Sequence, residues 1–201
     1  MLKRAFDLAI GLFGLVLLSP LFPVLAVAVM ASLGRPVLFR QVRAGLNGRD
    51  FTLVKFRSMR NDLDVNGTPL PDEARVTAVG RTLRRFRLDE LPEFWLIATG
   101  EMSMVGPRPL PRRLLEEAGV LQSRCRARPG LTGLAQVSGN TLLTNGEKFA
   151  VDLWYVDHQS VWRDLGIILA TIRTVVTGER RDEPLIRKAL QHAHGPDRRG
   201  R

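Results

Sequence analysis

The sequence predicts a helix-rich α/β fold of the α+β kind, in which a helical membrane hairpin precedes one small domain. Three observations predict it. Residues 8–33 contain no charged side chain, strand-like segments flank Asn47-Gly48, and most later segments place apolar residues at helical spacing. A chain of 201 residues has about the length of one domain and can bury a core.

The uncharged run at 8–33 is long enough for a membrane helix, which needs about 20 residues. A cleaved signal peptide is disfavoured, because the run is too long and Asp7 lies near its start. A straight spanning helix should have flanks that differ in positive charge, whereas both flanks here are positive. Ser19-Pro20 lies mid-run, where proline kinks a helix and serine can hydrogen-bond a freed carbonyl. The residues favour a re-entrant hairpin and leave a kinked spanning helix open.

The net charge of +10 indicates anionic partners. Cations are concentrated directly after the apolar run, at 35–60, where Asp50 is the single acidic residue. This basic belt consists of Arg35, Arg40, Arg43, Arg49, Lys55, Arg57 and Arg60. Such a belt favours anionic lipid by about 1 kcal/mol per residue near the surface. Nucleic acid is a poor candidate, because reader motifs and interleaved aromatic residues are lacking. A single cysteine, Cys125, excludes an internal disulfide.

Turn chemistry and apolar spacing predict the elements in order. Segments 35–41 and 50–56 form a hairpin that turns at Asn47-Gly48. The polar segment 61–74 forms a loop, and 129–139 forms a loop with a short strand. Helices are predicted over 76–85, 89–100, 109–118, 147–157 and 161–177. In the last helix, Leu165, Ile168, Leu169, Ile172 and Val176 form a stripe that is either core or membrane-facing surface.

Asp89 and Glu90 follow a run of arginines and precede a predicted helix. Their residue types suit phosphate chemistry, because an ionised carboxylate can attack phosphorus and a second can hold a divalent ion. We expect the arginines to favour ionisation of Asp89. An acidic pair at a helix start is also a common helix cap, so the pair alone leaves both roles open.

Seven blocks along the chain resemble the bacterial sugar transferases, the monotopic phosphoglycosyl transferase family. They cover nearly the whole chain from residue 3 to residue 177. The blocks are KRAFDL, SPLF, FRQVRAGLNGRDFTLVKFRSMR, VGRTLRRFRLDELPEFW, EMSMVGPRP, RPGLTGLAQVSGN and WYVDHQSVWRDL.

The resemblance implies a phosphoglycosyl transferase that moves a sugar 1-phosphate from a nucleotide sugar, usually a UDP-sugar, to polyprenol phosphate. Asp89 would be the nucleophile, Glu90 would help to bind Mg²⁺, and Ser19-Pro20 would mark the break in a re-entrant helix. Lys55, Arg84 and Arg108 would contact phosphate. Supporting roles at the site or in the nucleotide pocket would fall to Gly130, Thr132, Gly133 and Asp164.

The resemblance also implies a location at the cytoplasmic face of the bacterial inner membrane, in the assembly of a surface glycan. We therefore expect a membrane anchor at 1–34, a catalytic domain at 35–190 and a disordered basic tail at 191–201. The sequence departs from the family pattern at Arg87, Leu96 and Asn140, which affects the expected surroundings of the carboxylates and one phosphate contact. A catalytically silent membrane adaptor that uses the same basic face is the alternative.

Overall fold

The computed structural model describes residues 2–62, 67, 68 and 70–194. The described residues form helices linked by two small sheets, which confirms the helix-rich α/β class. The helices are α1 Leu2–Leu18, α2 Leu21–Leu33, α3 Asp72–Arg75, α4 Ala78–Arg85, α5 Glu93–Thr99, α6 Arg112–Glu117, α7 Leu121–Arg124, α8 Leu134–Val137, α9 Asn145–His158, α10 Val161–Thr177 and α11 Glu183–His194. The strands are β1 Leu38–Ala44, β2 Asp50–Phe56, β3 Ser103–Val105 and β4 Gly130–Thr132.

The predicted hairpin is present. Strands β1 and β2 pair antiparallel from Leu38 opposite Phe56 to Ala44 opposite Asp50. Asn47 turns the chain with a φ of 55°, a left-handed conformation that asparagine tolerates better than most residues. The first strand begins at 38 rather than 35. The second sheet pairs β3 and β4 in parallel, with Ser103 opposite Gly130; the sequence predicted a strand near β4 but not β3.

Helices α1 and α2 form a bent pair whose break lies at the predicted position, Ser19-Pro20. They meet at an angle of 66°, and the Ser19 hydroxyl donates to the Val16 carbonyl at 2.8 Å, next to Pro20. Within the described residues, neither helix alone has the length and apolar content to cross a membrane, whereas the bent pair taken together does. Arg57, a member of the basic belt, is buried and donates to carbonyls at the end of α2, including that of Gly34 at 2.8 Å. The belt is therefore partly turned inward.

The first turns of α1 are joined to the rest of the protein by a buried ionic network. Lys3 Nζ lies 2.5 Å from Asp164 Oδ2 and donates to the Val105 carbonyl at 3.0 Å. The Tyr155 hydroxyl donates to Asp164 Oδ1 at 2.6 Å. Asp164 is fully buried, so the network satisfies a charge that would be costly alone.

Two more polar residues of α1 bind the backbone and side chains of neighbouring elements. Asp7 Oδ1 accepts from Ser103 Oγ at 2.9 Å and from the Met104 amide at 3.0 Å, at the start of β3. Arg4 donates to the last-turn carbonyls of α5, including that of Ile97 at 2.6 Å. These contacts tie the segment predicted as anchor to the segment predicted as catalytic domain.

Glycines bring α1 into close contact with α5. A Cβ atom built on Gly14 would lie 2.5 Å from the Phe94 ring, and one on Gly11 would lie 3.0 Å from the Ala98 amide nitrogen. The two helices can therefore pack this closely only because neither position carries a side chain. Helix α5 begins three residues after Glu90, so this packing also positions the turn that holds the acidic pair.

The apolar stripe on α10 faces outward. Leu169, Ile172 and Val176 are 68%, 60% and 79% exposed, which excludes the core interpretation for most of the stripe. The principal core lies instead between α9 and α11, around Val151, Tyr155 and Ile186.

Two predicted segments differ from the structure at their ends. Helix α11 continues to His194, so residues 191–194 of the predicted tail are helical, while residues 195–201 lie outside the described residues. Residues 72–74 of the predicted loop lie in α3, and residues 63–66 and 69 of that loop lie outside the described residues.

Replacing Asp164 with Asn should lower the free energy of unfolding by about 3 kcal/mol, because Lys3 would lose its buried counter-ion. Urea denaturation of the detergent-solubilised protein measures this loss. The double change Lys3→Met/Asp164→Leu should recover part of it. The exposed pair Arg113–Glu117 supplies the control, since Glu117→Gln should cost less than about 1 kcal/mol. An unchanged stability with a weakened affinity for a nucleotide sugar would instead place Asp164 in the substrate site.

Candidate active site

A pocket of about 770 Å³ lies between the turn after α4, the end of β2 and the C-terminal end of α10. Five of the six charged residues for which a role at the site was predicted line it, and the sixth, Asp164, does not. The five are Lys55, Arg84, Asp89, Glu90 and Arg108. Further lining residues that the sequence prediction did not include are Arg85, Arg87, Arg124, Gln136, Asn140, Thr141, Asn145, Lys148, Phe149, Asp152 and Glu179.

Asp89 and Glu90 lie in a 3₁₀ turn, Leu88–Glu90, and not at the start of an α-helix as predicted. Arg87 has a φ of 54°, in the left-handed region. This conformation changes the direction of the chain after α4 and begins the turn. Pro92 precedes the first residue of α5. Both carboxyl groups are therefore held in a tight turn between two helices, and both are buried.

Glu90 has one paired oxygen and one oxygen without a hydrogen bond. Arg108 donates to Glu90 Oε1 at 3.1 Å. Arg87 lies 3.6 Å from Oε2, too far for a hydrogen bond. Within the described residues, both Glu90 Oε2 and the nearby Arg87 nitrogen are buried without a hydrogen-bond partner. The two atoms therefore face each other as an ion pair without a hydrogen bond, and each keeps unused hydrogen-bonding capacity.

Burial, and then the negative charge of Glu90, raises the pKa of Asp89 above its ordinary value. Lys55 and Arg84 act in the opposite direction and offset part of this shift. Arg84 does favour ionisation of Asp89, as expected, but burial in the turn has the larger effect because it removes the carboxyl group from water. A cationic ligand or a metal ion beside Glu90 would favour the ionised form.

Glu93 is a third carboxyl group at this place, and the sequence prediction missed it. It lies in the first turn of α5 and is 4% exposed. Burial and the charge of Glu90 raise its pKa to about 8. The signal in the sequence was its spacing, since residues three apart, such as Glu90 and Glu93, lie on the same side of a helical turn.

A buried ion pair holds the backbone of Arg108 in place. Arg124 donates to Asp152 Oδ2 at 2.9 Å and to the Arg108 carbonyl at 2.5 Å. Arg124 and Asp152 are 3% exposed each. Arg124 therefore fixes the backbone that presents Arg108 to Glu90, and its own charge is largely neutralised by Asp152.

The predicted nucleotide-pocket residues Gly130, Thr132 and Gly133 do not line this pocket. A Cβ on Gly130 would lie 2.1 Å from the Gly106 amide nitrogen, and one on Gly133 would lie 2.2 Å from the Gly106 carbonyl oxygen. Close packing of β4 against the Gly-Pro-Arg-Pro segment at 106–109 requires glycine at both positions. Thr132 Oγ1 lies 2.6 Å from the Thr171 hydroxyl and so joins β4 to α10.

Asp164 also lies outside the pocket lining and is paired with Lys3 and Tyr155. Its contacts hold α1 in place, and the supporting role at the site that the resemblance implies stays a prediction. Of the three departures from the family pattern, Leu96 is buried in an apolar cluster away from the pocket. Arg87 and Asn140 both line the pocket, and Asn140 donates to Glu179 at 2.6 Å.

The carboxyl groups can accommodate magnesium. Mg²⁺ usually takes one or two protein carboxylates and completes its shell with substrate phosphate and water. Glu90 Oε2, buried and without a hydrogen bond, offers such a ligand. Across residues 2–62, 67, 68 and 70–194, no three acidic, histidine or cysteine side chains form a ready-made metal cluster.

Comparison with known proteins identifies related chains. The family model described as bacterial sugar transferase matches residues 1–178. The uncharacterized sugar transferase EpsL of Bacillus subtilis is 42% identical over 179 residues, which cover 89% of each chain. An undecaprenyl-phosphate glucose phosphotransferase of Komagataeibacter xylinus is 41% identical over 85% of this chain and 35% of its own length.

A third relative, the UDP-glucose:undecaprenyl-phosphate glucose-1-phosphate transferase of Escherichia coli, is 40% identical over 86% of this chain and 39% of its own length. The chain therefore spans nearly all of EpsL and less than half of the other two relatives.

Replacing Glu93 with Gln should make stability less dependent on pH. The folded pKa of about 8 exceeds the ordinary 4.5, so unfolding releases a proton above pH 4.5. The wild type should therefore lose stability between about pH 4.5 and 8, and the variant should lose less. Urea midpoints at pH 5 and pH 8, without divalent ions, measure the difference. Parallel pH dependences for the two proteins would contradict a protonated Glu93.

Proposed function

The chain belongs to the bacterial sugar transferase family, and we propose that it transfers a sugar 1-phosphate from a UDP-sugar to a polyprenol phosphate and releases UMP. The observation that carries the proposal is the buried pair Asp89–Glu90 in a pocket lined by cations. The names of the Komagataeibacter and Escherichia relatives, which act on undecaprenyl phosphate, support the substrate class.

The charges of the pocket suit a diphosphate. Lys55, Arg84, Arg85 and Lys148 line it and can neutralise phosphate oxygens. Arg108 is held by Glu90 and by the Arg124 contact to its carbonyl, so its guanidinium is oriented before substrate binds. Such preorganised cations stabilise negative charge on phosphoryl oxygens without further rearrangement.

In the first half-reaction, an Asp89 carboxylate oxygen attacks the phosphorus that carries the sugar. A bond forms between that oxygen and phosphorus, and the bond from phosphorus to the bridging oxygen breaks. The bridging oxygen leaves with its electron pair as part of UMP. The sugar phosphate is then joined to Asp89 as a mixed anhydride.

In the second half-reaction, a phosphate oxygen of polyprenol phosphate attacks the same phosphorus. The bond to Asp89 breaks, the carboxylate is regenerated, and polyprenol diphosphate sugar is formed. A bound magnesium ion, held by Glu90 and substrate oxygens, would neutralise phosphate charge. Burial leaves the Asp89 carboxylate less well solvated, which raises its pKa. A poorly solvated carboxylate is also the better nucleophile once neighbouring positive charge has ionised it.

A lipid acceptor requires the site to be next to a membrane. The broken α1–α2 hairpin exposes Phe13, Val16 and Val24, and the outward stripe of α10 adds a second apolar surface. We place the hairpin in the membrane as a re-entrant anchor with the pocket at the cytoplasmic face. Exposed members of the basic belt, such as Arg40, Arg49 and Arg60, would contact anionic headgroups.

Asp89→Asn should reduce UMP release by at least about 10³-fold, because the amide cannot form the anhydride. The assay mixes purified protein, UDP-sugars, Mg²⁺ and polyprenol phosphate, and circular dichroism checks that the fold is kept. Asp62→Asn, an exposed acid paired with Arg60, is the matched control and should retain activity. Near-normal turnover by the Asp89 variant would exclude it as nucleophile.

Both ends of the predicted anchor should lie on the cytoplasmic side. In a Cys125→Ser background, cysteines at the exposed positions Leu2 and Arg49 should be protected from a membrane-impermeant thiol reagent in spheroplasts and labelled after lysis. Labelling of one position in intact spheroplasts, with protection of the other, would show a spanning helix instead.

A further inference from the structure

Glu179 is an acidic side chain of the pocket wall that the proposed reaction does not use. It follows Gly178, which ends α10 with a φ of 84° and turns the chain back over the pocket. Asn140 donates to Glu179 Oε1 at 2.6 Å, and the Thr141 amide donates to Oε2 at 3.1 Å. The Thr141 hydroxyl also donates to Oε2. The carboxylate is therefore fixed in position before any ligand binds.

This carboxylate is ionised. Burial acts to raise the pKa of Glu179, but the hydrogen bonds from Thr141 and Asn140 outweigh it, and the pKa lies below its ordinary value. Asp152, another acid of the pocket wall, is neutralised by its ion pair with Arg124. Glu179 instead retains lone pairs that are not used by its partners, since each carboxylate oxygen can accept two hydrogen bonds.

Unlike Asp89 and Glu90, Glu179 neither attacks phosphorus nor shares a metal ion with the phosphates in the proposed reaction, so its charge would repel them. It therefore suits a part of the donor that has hydrogen-bond donors. Arg87 lies between Glu179 and the acidic pair. Its guanidinium is 3.6 Å from Glu90 Oε2, and its positive charge helps to lower the pKa of Glu179. The phosphorus attacked by Asp89 is bonded directly to the sugar, whereas the second phosphate separates it from the nucleoside. The wall next to the acidic pair is therefore nearer the sugar.

We propose that Glu179, held by Asn140 and Thr141, is a specificity-determining residue that accepts hydrogen bonds from the sugar of the donor and excludes sugars that carry a carboxylate. The proposal rests on the proposed function. Neutral hexoses present several hydroxyl donors to such a group, whereas a hexuronic acid would bring a second negative charge against it. Like charges placed together in a binding site are strongly unfavourable.

Direct binding tests this inference without relying on turnover. Both measurements use an Asp89→Asn background, in which the donor cannot react, and the probes are UDP-glucose, UDP-glucuronate and UMP. With Glu179 intact, UDP-glucose should bind at least about 10-fold more tightly than UDP-glucuronate. Glu179→Gln should reduce this ratio by about 10-fold and leave the affinity for UMP within about 2-fold.

Two variants separate charge from structure. Glu179→Asp keeps the charge and should retain the preference for UDP-glucose. Glu183→Gln removes an exposed carboxylate that pairs with Arg181 on α11, outside the pocket lining, and should change none of the affinities. Thermal unfolding of each variant checks that the fold is kept.

The outcomes are distinct. An unchanged ratio in Glu179→Gln would overturn the inference, and so would an equal loss of affinity for all three probes, which would place Glu179 at the nucleoside or in the fold. Failure of all three probes to bind the Asp89→Asn protein would overturn the proposed function itself, and the inference with it. Binding of UMP and both donors with no preference in either protein would overturn only the inference.

Discussion

The contact between α1 and the segment around the acidic pair is the constraint on which the rest of the structure depends. Helix α1 is mostly apolar and exposed on one side, yet Lys3, Arg4 and Asp7 carry charge into its first turns. These charges are satisfied by α5, β3 and α10, because leaving them unpaired while buried would cost several kcal/mol. The start of α1 is therefore tied to the elements that flank the turn holding Asp89 and Glu90.

That constraint explains how one short turn can hold two carboxyl groups out of water. Close packing of Gly14 on Phe94 fixes α5, and the turn before α5 then buries Asp89 and Glu90. Burial opposes ionisation, and the surrounding cations favour it. In the proposed reaction, a metal ion bound with the diphosphate would add positive charge beside the carboxyl groups and favour their ionised form. Arg108 and Arg87 supply donors in fixed positions around Glu90.

The sequence was informative where short motifs carry the chemistry and weaker where distant segments meet. Turn residues and charge runs are local signals. They predicted the β1–β2 hairpin, the helix break at Ser19-Pro20 and the positions of Lys55, Arg84 and Arg108. Strand β3 was missed because three residues give no periodicity. Arg124 and Asp152 were missed because their pairing joins segments far apart in the chain. Gly130 and Gly133 were assigned to the pocket because glycine next to a phosphate site and glycine at a backbone crossing look alike in sequence.

The step on which the proposed reaction depends most is covalent capture of the sugar phosphate by Asp89. Intact-protein mass spectrometry of the wild type, incubated with UDP-sugar and Mg²⁺ but without polyprenol phosphate, measures this directly. The covalent mechanism predicts a mass increase equal to one sugar phosphate, located by peptide mapping to Asp89 and removed when polyprenol phosphate is added. Steady turnover with acceptor, but no mass increase on rapid quenching in its absence, would contradict a covalent mechanism and indicate direct transfer.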